Sequence, residues 1–387
     1  MSGRAGTGRL AGIAGKEPRI PAHRRSEERR TLRAVSSSSR RPTSADVATR
    51  AGVSRATVSM VLNGRVGGTV AVATQQRVLA AAAELGYTRS ALAISLKERR
   101  SRTIGLITDE IATSPFAGRM ARAASMVAAQ HDHLVITVDL SLRDHTIEDA
   151  ARLLAERQVD GLLYATMGRM RGPLPAVPPG IPLVLANHEP VSSGADERGE
   201  GAELPPTFVP DDYGGARRAA RRLIETGHRR IAMLSGDDRS VAVLEREAGF
   251  RDELADAGLE PRMVKAGWQI DDGYRAAARL FAGEEPPTGV FCIRDRVAAG
   301  VLQAASAAGI AVPGDLSVIG FDDEDFFAER LVPKLTTIAL PHEEMGRRAM
   351  AALFTRLEGE AAGDDAGLVV VECPLVERES VGIARGR

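Results

Sequence analysis

From Thr103 onward, short apolar runs alternate with amphipathic helical stretches, and no other feature constrains the fold of this chain as strongly. The runs are Thr103 to Ile107, His133 to Val138, Val159 to Tyr164, Pro182 to Ala186, Arg230 to Leu234, Val290 to Ile293 and Leu316 to Phe321. The stretches between them include Gly214 to Glu225 and Val241 to Ala257, both with helical periodicity. Strands buried on both faces and joined by helices make a parallel sheet, so the pattern predicts an α/β body. About ten strands in about 285 residues favour two doubly wound lobes over one sheet.

Ahead of that body the pattern changes. Thr43 to Leu96 has helical periodicity in short segments broken at Gly52, across Gly64 to Gly68 and near Gly86, which predicts a small all-α head. Residues 1 to 41 mix Gly, Arg, Ser and Pro without apolar periodicity and read as a disordered basic tail. The net charge of the 387 residues is zero, but Met1 to Gly105 carries 20 Lys and Arg against 6 Asp and Glu, and the remainder 31 against 45. A basic head on an acidic body suggests that the head meets a polyanion.

Several classes lose support. The chain has no run of eighteen apolar residues and no apolar stretch near its start of the kind a secretory signal needs, so a cytoplasmic protein with no membrane partner is expected. Two cysteines, Cys292 and Cys373, are too few for a disulfide framework and lie outside any zinc-like spacing. Gly6 to Ala11 matches a dinucleotide fingerprint only superficially, because no strand precedes it. No Gly-x-Ser-x-Gly elbow, P-loop or paired His motif is present, so no catalytic residue, metal or cofactor is expected.

Within the head, Asp46 to Ser59 has the stereochemistry of a helix-turn-helix. Ala48 is small enough for two helices to cross closely, Gly52 supplies the turn, and Ser54 can cap the second helix. Val58, Val61 and Leu62 share one face of that helix, leaving Arg55, Ala56, Ser59 and Met60 outward as candidate readers of DNA. Ser54, Thr57 and Ser59 carry short hydroxyls suited to phosphate oxygens, Arg55 can reach a guanine edge bidentately, and Ala56 can touch a thymine methyl. Asn63, at the end of the helix, joins the candidate DNA-binding set.

Thr43 to Gly64, reading TSADVATRAGVSRATVSMVLNG, resembles the opening of the LacI/GalR family of bacterial repressors. The resemblance continues through Arg77-Val78-Leu79, Glu84-Leu85-Gly86-Tyr87, Gly227 to Ala232, Ala248-Gly249-Phe250, Ser317 to Asp322 and Leu335 to Ile338. It implies a helix-turn-helix domain over 42–89, a hinge helix and linker over 90–101, and a two-lobed body of periplasmic-binding-protein type over 102–387. It further implies a homodimer on a palindromic operator, with Ala93 and Leu96 of the hinge presented to the minor groove, Leu96 as a wedge. This chain departs from the family pattern: Met60 stands where an Arg is usual, Val70 to Val72 replaces a capped helix start, and Arg89 and Ser90 replace the common Pro-Asn.

In open α/β sheets ligands bind beyond the carboxyl ends of the strands. Asp109, Asn187, Arg294 with Asp295, and Asp322 follow apolar runs there, and Trp268 offers a face for stacking on a sugar. The resemblance places Asn187, Arg246, Trp268, Arg294 and Asp322 at effector-contacting positions. Other roles stay open: Asp295 as a helix N-cap, Asp322 as a turn residue, Trp268 as core, and Arg246 paired with Glu245 or Glu247 on a solvated helix. Arg294 replaces the family's usual Asn, and its fixed charge raises the prospect of an acidic or phosphorylated effector.

Three functions compete: an effector-gated repressor, a periplasmic-type sugar-binding protein, and a cofactor-dependent α/β enzyme. The second requires a signal peptide and no helix-turn-helix, and the third a glycine-rich loop where Thr108-Asp109-Glu110 is acidic. The expectation is therefore a transcriptional regulator, a dimer on operator DNA, switched by a sugar-like effector through a population shift. No apolar heptad tail follows Val369 to Val376, so a coiled-coil tetramer is not indicated.

Overall fold

The computed structural model describes residues 42–88, 100–109, 117–142, 146–191, 204–360 and 367–385. The chain divides into two compact units with the boundary between Ser90 and Ala91. Ala93 and Leu96, like the tail over 1–41, lie outside the described residues.

The first unit is built from α1 (Ser44–Ala51), α2 (Arg55–Leu62) and α3 (Val72–Glu84). Thr43 and Asp46 form a reciprocal capping box that starts α1, and Gly52, at φ 67°, ends it in the left-handed region. Ser54 then starts α2 by accepting the Thr57 N–H. At α3 the cap position is Ala71, which has no side chain to satisfy the first N–H groups. Val47, Ala48, Ala51, Val58, Val61, Val78, Ala81 and Ala82 form one buried core, and the Arg50–Glu84 ion pair at 2.6 Å ties α1 to α3 at the surface.

In chain order the second unit runs β1 (Thr103–Thr108), α4 (Ala117–Gln130), β2 (Leu134–Asp139), α5 (Ile147–Glu156), β3 (Gly161–Gly172), β4 (Leu183–Pro190) and β5 (Thr207–Pro210). It continues through α6 (Asp212–Glu225), β6 (Ile231–Ser235), α7 (Val241–Asp256), β7 (Arg262–Lys265), α8 (Ile270–Phe281), β8 (Gly289–Cys292) and α9 (Asp295–Ala307). The last elements are β9 (Ser317–Asp322), β10 (Thr336–Ala339), α10 (His342–Glu358), β11 (Leu368–Val371) and β12 (Leu375–Val376).

Two six-stranded sheets result, ordered β11-β5-β4-β3-β1-β2 and β12-β10-β9-β8-β6-β7, and every pairing is parallel except β10 with β12. Each sheet is one lobe, and the chain crosses between them three times, after β5, β10 and β11. Helices cover both faces. Where α8 crosses α9, Gly273 and Gly300 let the backbones touch: a Cβ on Gly300 would lie 2.0 Å from the Ile270 carbonyl.

The seven apolar runs correspond to β1, β2, β3, β4, β6, β8 and β9. The described residues contain twelve strands rather than about ten, and β5, β7, β10, β11 and β12 escaped the pattern. β7 is an edge strand with no buried residue, and β10 reads Thr-Thr-Ile-Ala, with too little apolar character to stand out. The stretch near Val369 to Val376 holds two strands: β11 belongs to the first lobe and β12 to the second. β3 also runs past its apolar part. After a register shift between Ala165 and Met170 it continues to Gly172 beside His188–Pro190 of β4.

Candidate functional site

The carboxyl ends of the two sheets face a common cleft of about 540 Å³. Its walls include Asn187, Arg246, Trp268, Arg294 and Asp322, together with Arg169, Asp212, Asp238, Ser240, Gln269, Arg296 and His342.

The four arginines of the cleft wall alternate with four carboxylates, of which Asp212 and Asp322 also line the wall. Glu189 pairs with Arg169 at 3.0 Å, and Arg169 reaches Asp212 at 3.7 Å. Asp212 accepts from Arg246 Nε at 2.9 Å, and Arg246 Nη1 lies 3.6 Å from Asp322. Asp322 lies 3.2 Å from Arg294 Nε, Arg294 lies 3.9 Å from Glu324, and Glu324 takes Arg296 bidentately at 2.8 and 3.0 Å. Four guanidiniums thus alternate with four carboxylates across both lobes, and their charges balance. The positive charge of Arg294, read from sequence as a lure for an acidic effector, is compensated by Asp322 and Glu324.

Arg246 is only 4% exposed, which overturns its placement on a solvated helix with Glu245 or Glu247. Besides Asp212 it donates to the Ile293 carbonyl at 2.6 Å, and its guanidinium carbon sits 3.5 Å from the Phe321 ring centroid. Such a fork, stacked and doubly bonded, is held in one rotamer.

Burial pushes Asp322 up to about 6, while Arg294 and Arg246 pull the other way. Beneath it, Asp295 is fully buried and its carboxyl is raised well above the usual range, first by burial and then by the Asp322 charge. Asp295 is not an N-cap: it is the first residue of α9, and its oxygens accept from the Glu324 N–H and the Thr337 hydroxyl. His342, at the start of α10, is pushed down to about 4 by burial and by the charges of Arg119 and Arg246, so its ring is neutral at physiological pH.

Asn187 has φ 59°, donates from Nδ2 to the Thr166 carbonyl at 3.0 Å, and holds Oδ1 buried without a hydrogen bond. Trp268 packs against the second-lobe core and also lines the cleft, its Nε1–H fixed on Asp238 at 3.0 Å. Asp109 is a correction: it is not in the cleft wall, and its Oδ1 accepts the Met167 N–H at 2.6 Å, supporting the turn into the β3 extension.

Among the wall residues missed from sequence, His342 follows β10, which the apolar pattern does not mark, but Asp238 and Arg296 follow marked strands, so the rule that selected Asn187 and Asp322 reaches them. Arg169 does not. It lies on the β3 extension, whose Met167 to Gly172 has no strand-like apolar pattern.

In the head, Ser54, Arg55, Ala56, Ser59 and Asn63 are exposed and Thr57 is half-buried. Ser54 and Thr57 hydroxyls share a hydrogen bond of 2.9 Å, and Asn63 Nδ2 folds back onto the Ser59 carbonyl and hydroxyl. Met60 corrects the outward assignment: it is half-buried and packs on the head core.

Comparison with known proteins meets this geometry from both ends. Residues 43–90 match the family described as bacterial regulatory proteins, lacI family, and residues 220–381 match the periplasmic binding protein-like domain. The repressor CytR of Escherichia coli K12 is 33% identical over 346 residues, covering 87% of this chain and 95% of that protein. The chain belongs to the LacI family. The regulator CelR of Thermobifida fusca is 34% identical over 88% of this chain and 98% of its own length. Among solved structures, the transcriptional regulator CelR–cellobiose complex matches at TM-score 0.56 and 30% identity, and the Lac repressor bound to ONPG at 0.71 and 25%. These cover 88% of this chain and all of each structure. As a LacI-family member the chain is a DNA-binding transcriptional regulator, with α1 and α2 as its helix-turn-helix and the two-lobed unit as its periplasmic-binding-like domain. Among the described residues no helix is long and apolar enough to cross a membrane.

Proposed function

We propose that the chain represses transcription as a homodimer on a palindromic operator, and that a neutral, polyhydroxylated small molecule in the cleft sets its operator affinity. The carrying observation is a cavity of about 540 Å³ walled by four guanidiniums, each already paired with carboxylates of one alternating series. Hydroxyls can accept from the guanidiniums and donate to the carboxylates, whereas a phosphate would have to displace the carboxylates that already hold those guanidiniums. Trp268 supplies an apolar face for a ring, and Asn187 Oδ1 an acceptor. Asn187, Arg246, Trp268, Arg294 and Asp322 are the effector contacts of this reading, joined by Arg169, Arg296 and His342. The arginines of the cleft wall are paired with carboxylates rather than arranged as nucleophile and base, and we assign the cleft no catalysis.

At the DNA, the N-terminal turn of α2 presents Ser54, Arg55, Ala56 and Thr57, with Ser59 farther along. Two heads on one palindrome are needed because a single short helix specifies few base pairs.

The test has two arms. Selection from a random duplex library by the full-length protein at about 150 mM salt is expected to return a palindrome. Calorimetry against neutral sugars and nucleosides and their phosphate esters is expected to find neutral compounds binding at least tenfold tighter. Tighter binding of the phosphate esters would overturn the neutral assignment, and recovery of no motif would overturn sequence-specific binding by the free protein.

A further inference from the structure

As β9 ends, Asp322, Asp323 and Phe326 all take positive φ, at 114°, 51° and 58°. Side chains other than glycine rarely adopt this region, and they keep it only where surrounding contacts hold them. The contacts of Asp322 to Phe326 run in three directions. Into the cleft, Asp322 faces Arg246 and Arg294, and Glu324 holds Arg296. Into the second lobe, the Glu324 N–H donates to Asp295, and Asp323 accepts from Arg378 at 2.7 Å. Out to the first lobe, Arg119 in the first turn of α4 donates from Nε to Asp325 Oδ2 at 2.6 Å and from Nη2 to Asp325 Oδ1 and the Asp323 carbonyl.

That last contact is a bidentate fork with an additional carbonyl, a geometry satisfied at one relative position of the two lobes. Its partners respond electrostatically: the hydrogen bond from Arg119 holds the Asp325 carboxyl below the usual carboxylate range. Asp322 and Asp325 are three residues apart, so the residue bonded to the cleft arginines and the residue bonded to the first lobe share one short, conformationally restricted segment. The chain from the head enters the first lobe at β1, and α4 is the next helix after it.

We propose that Arg119 and Asp325 form a latch between the lobes that is coupled to the cleft through the segment Asp322 to Phe326. A ligand that draws Arg246 or Arg294 away from Asp322 shifts this segment, and the fork on Asp325 opens or tightens with it. The latch rests on the reading of the cleft as the effector site, and it makes these two residues positioning residues for the response rather than ligand contacts.

The test uses full-length protein without added effector, comparing wild type with Arg119→Ala, Asp325→Ala, the two together, and the charge swap Arg119→Asp with Asp325→Arg. Amide hydrogen exchange is read at 117–123 and 322–327, and operator affinity by fluorescence anisotropy on the selected palindrome. Each single substitution is expected to raise exchange at both segments and change the operator Kd, each at least threefold. The pair should be no worse than the larger single, and the swap should return both readings to within twofold of wild type. Unchanged exchange in the singles, additive effects in the pair, or an unrestored swap would each overturn the latch. Recovery of no palindrome would count against the operator reading alone, since the exchange comparison decides the latch without DNA.

Discussion

Arg246 lies over the ring of Phe321, with its guanidinium carbon 3.5 Å from the centroid, and from that position it reaches Asp212, the Ile293 carbonyl and Asp322. The aromatic ring fills the face of the guanidinium, so the hydrogen bonds must lie in its plane. This orients the acidic groups of both the α6 start and the β9 end around one cation. The cleft floor is therefore organised before any ligand arrives.

Arg246→Met should strongly destabilise the protein, because Asp212 and Asp322 would stay buried without their shared cation. Breaking a buried pair by removing one partner costs about 3 to 5 kcal/mol. Urea unfolding at pH 7.5 measures it, and a midpoint equal to wild type would contradict the buried pairing. Arg246→Lys keeps the charge but loses the fork and the stacking, so it should recover part of the stability while still weakening ligand binding.

His342→Gln should flatten the acid limb of the stability profile. The ring is depressed from 6.5 to about 4, so its contribution is complete above pH 6.5 and is lost as pH falls toward 4. The amount is on the order of 3 kcal/mol, at about 1.36 kcal/mol per pH unit. Asp322 runs the other way: raised from 3.8 to about 6, its contribution is present below 3.8 and is lost as pH rises through 6. In the variant only the Asp322 contribution remains of this opposed pair. Unfolding free energies at pH 7.5, 5.5 and 4.5 should therefore fall less on acidification than in wild type. An identical slope would place the titration on another group.

Asp295→Asn should be tolerated far better than Asp295→Ala. Burial raises the Asp295 carboxyl and so disfavours its charged form, and an amide of the same shape can accept from the Glu324 N–H and donate to the Thr337 hydroxyl. Alanine leaves both groups buried without partners, at about 1 to 3 kcal/mol each. Thermal unfolding of the two variants distinguishes them, and equal losses would show that the charged carboxylate is required.

Arg55→Ala and Met60→Ala should separate reading from folding. Arg55 is exposed at the start of α2, so its loss should relax preference at one base pair per half-site by about 1 to 3 kcal/mol and leave head stability unchanged. Met60 packs against the buried core of the head, so its truncation should lower head stability and weaken all sequences alike. Repeating the duplex selection with each variant, beside a melting curve, checks both. A base-specific change from Met60→Ala would return that residue to the reading face.

The head was legible in the sequence because its determinants are local. Thr43, Asp46, Gly52 and Ser54 fix the helix boundaries through hydrogen bonds and backbone geometry that span three or four residues. The α/β alternation was legible for a related reason, since a strand buried on both faces must be apolar along its length. It failed at β7, β10 and the β3 extension, where edges and polar residues remove that requirement.

Local pattern in the chain reveals the helix-turn-helix, seven of the twelve described strands and the strand ends from which Asn187, Arg294 and Asp322 project. What those side chains meet depends on the assembled lobes. Glu189, Asp212 and Glu324 come from separate elements, and nothing local shows that they interleave with Arg169, Arg246, Arg294 and Arg296. Asp109 follows a strand as the others do, yet it turns to the Met167 N–H instead of the cleft. The physical reason is that a charge acts through space over a few ångströms, and which charges come within that range is set by how two lobes joined by three crossings fold against each other.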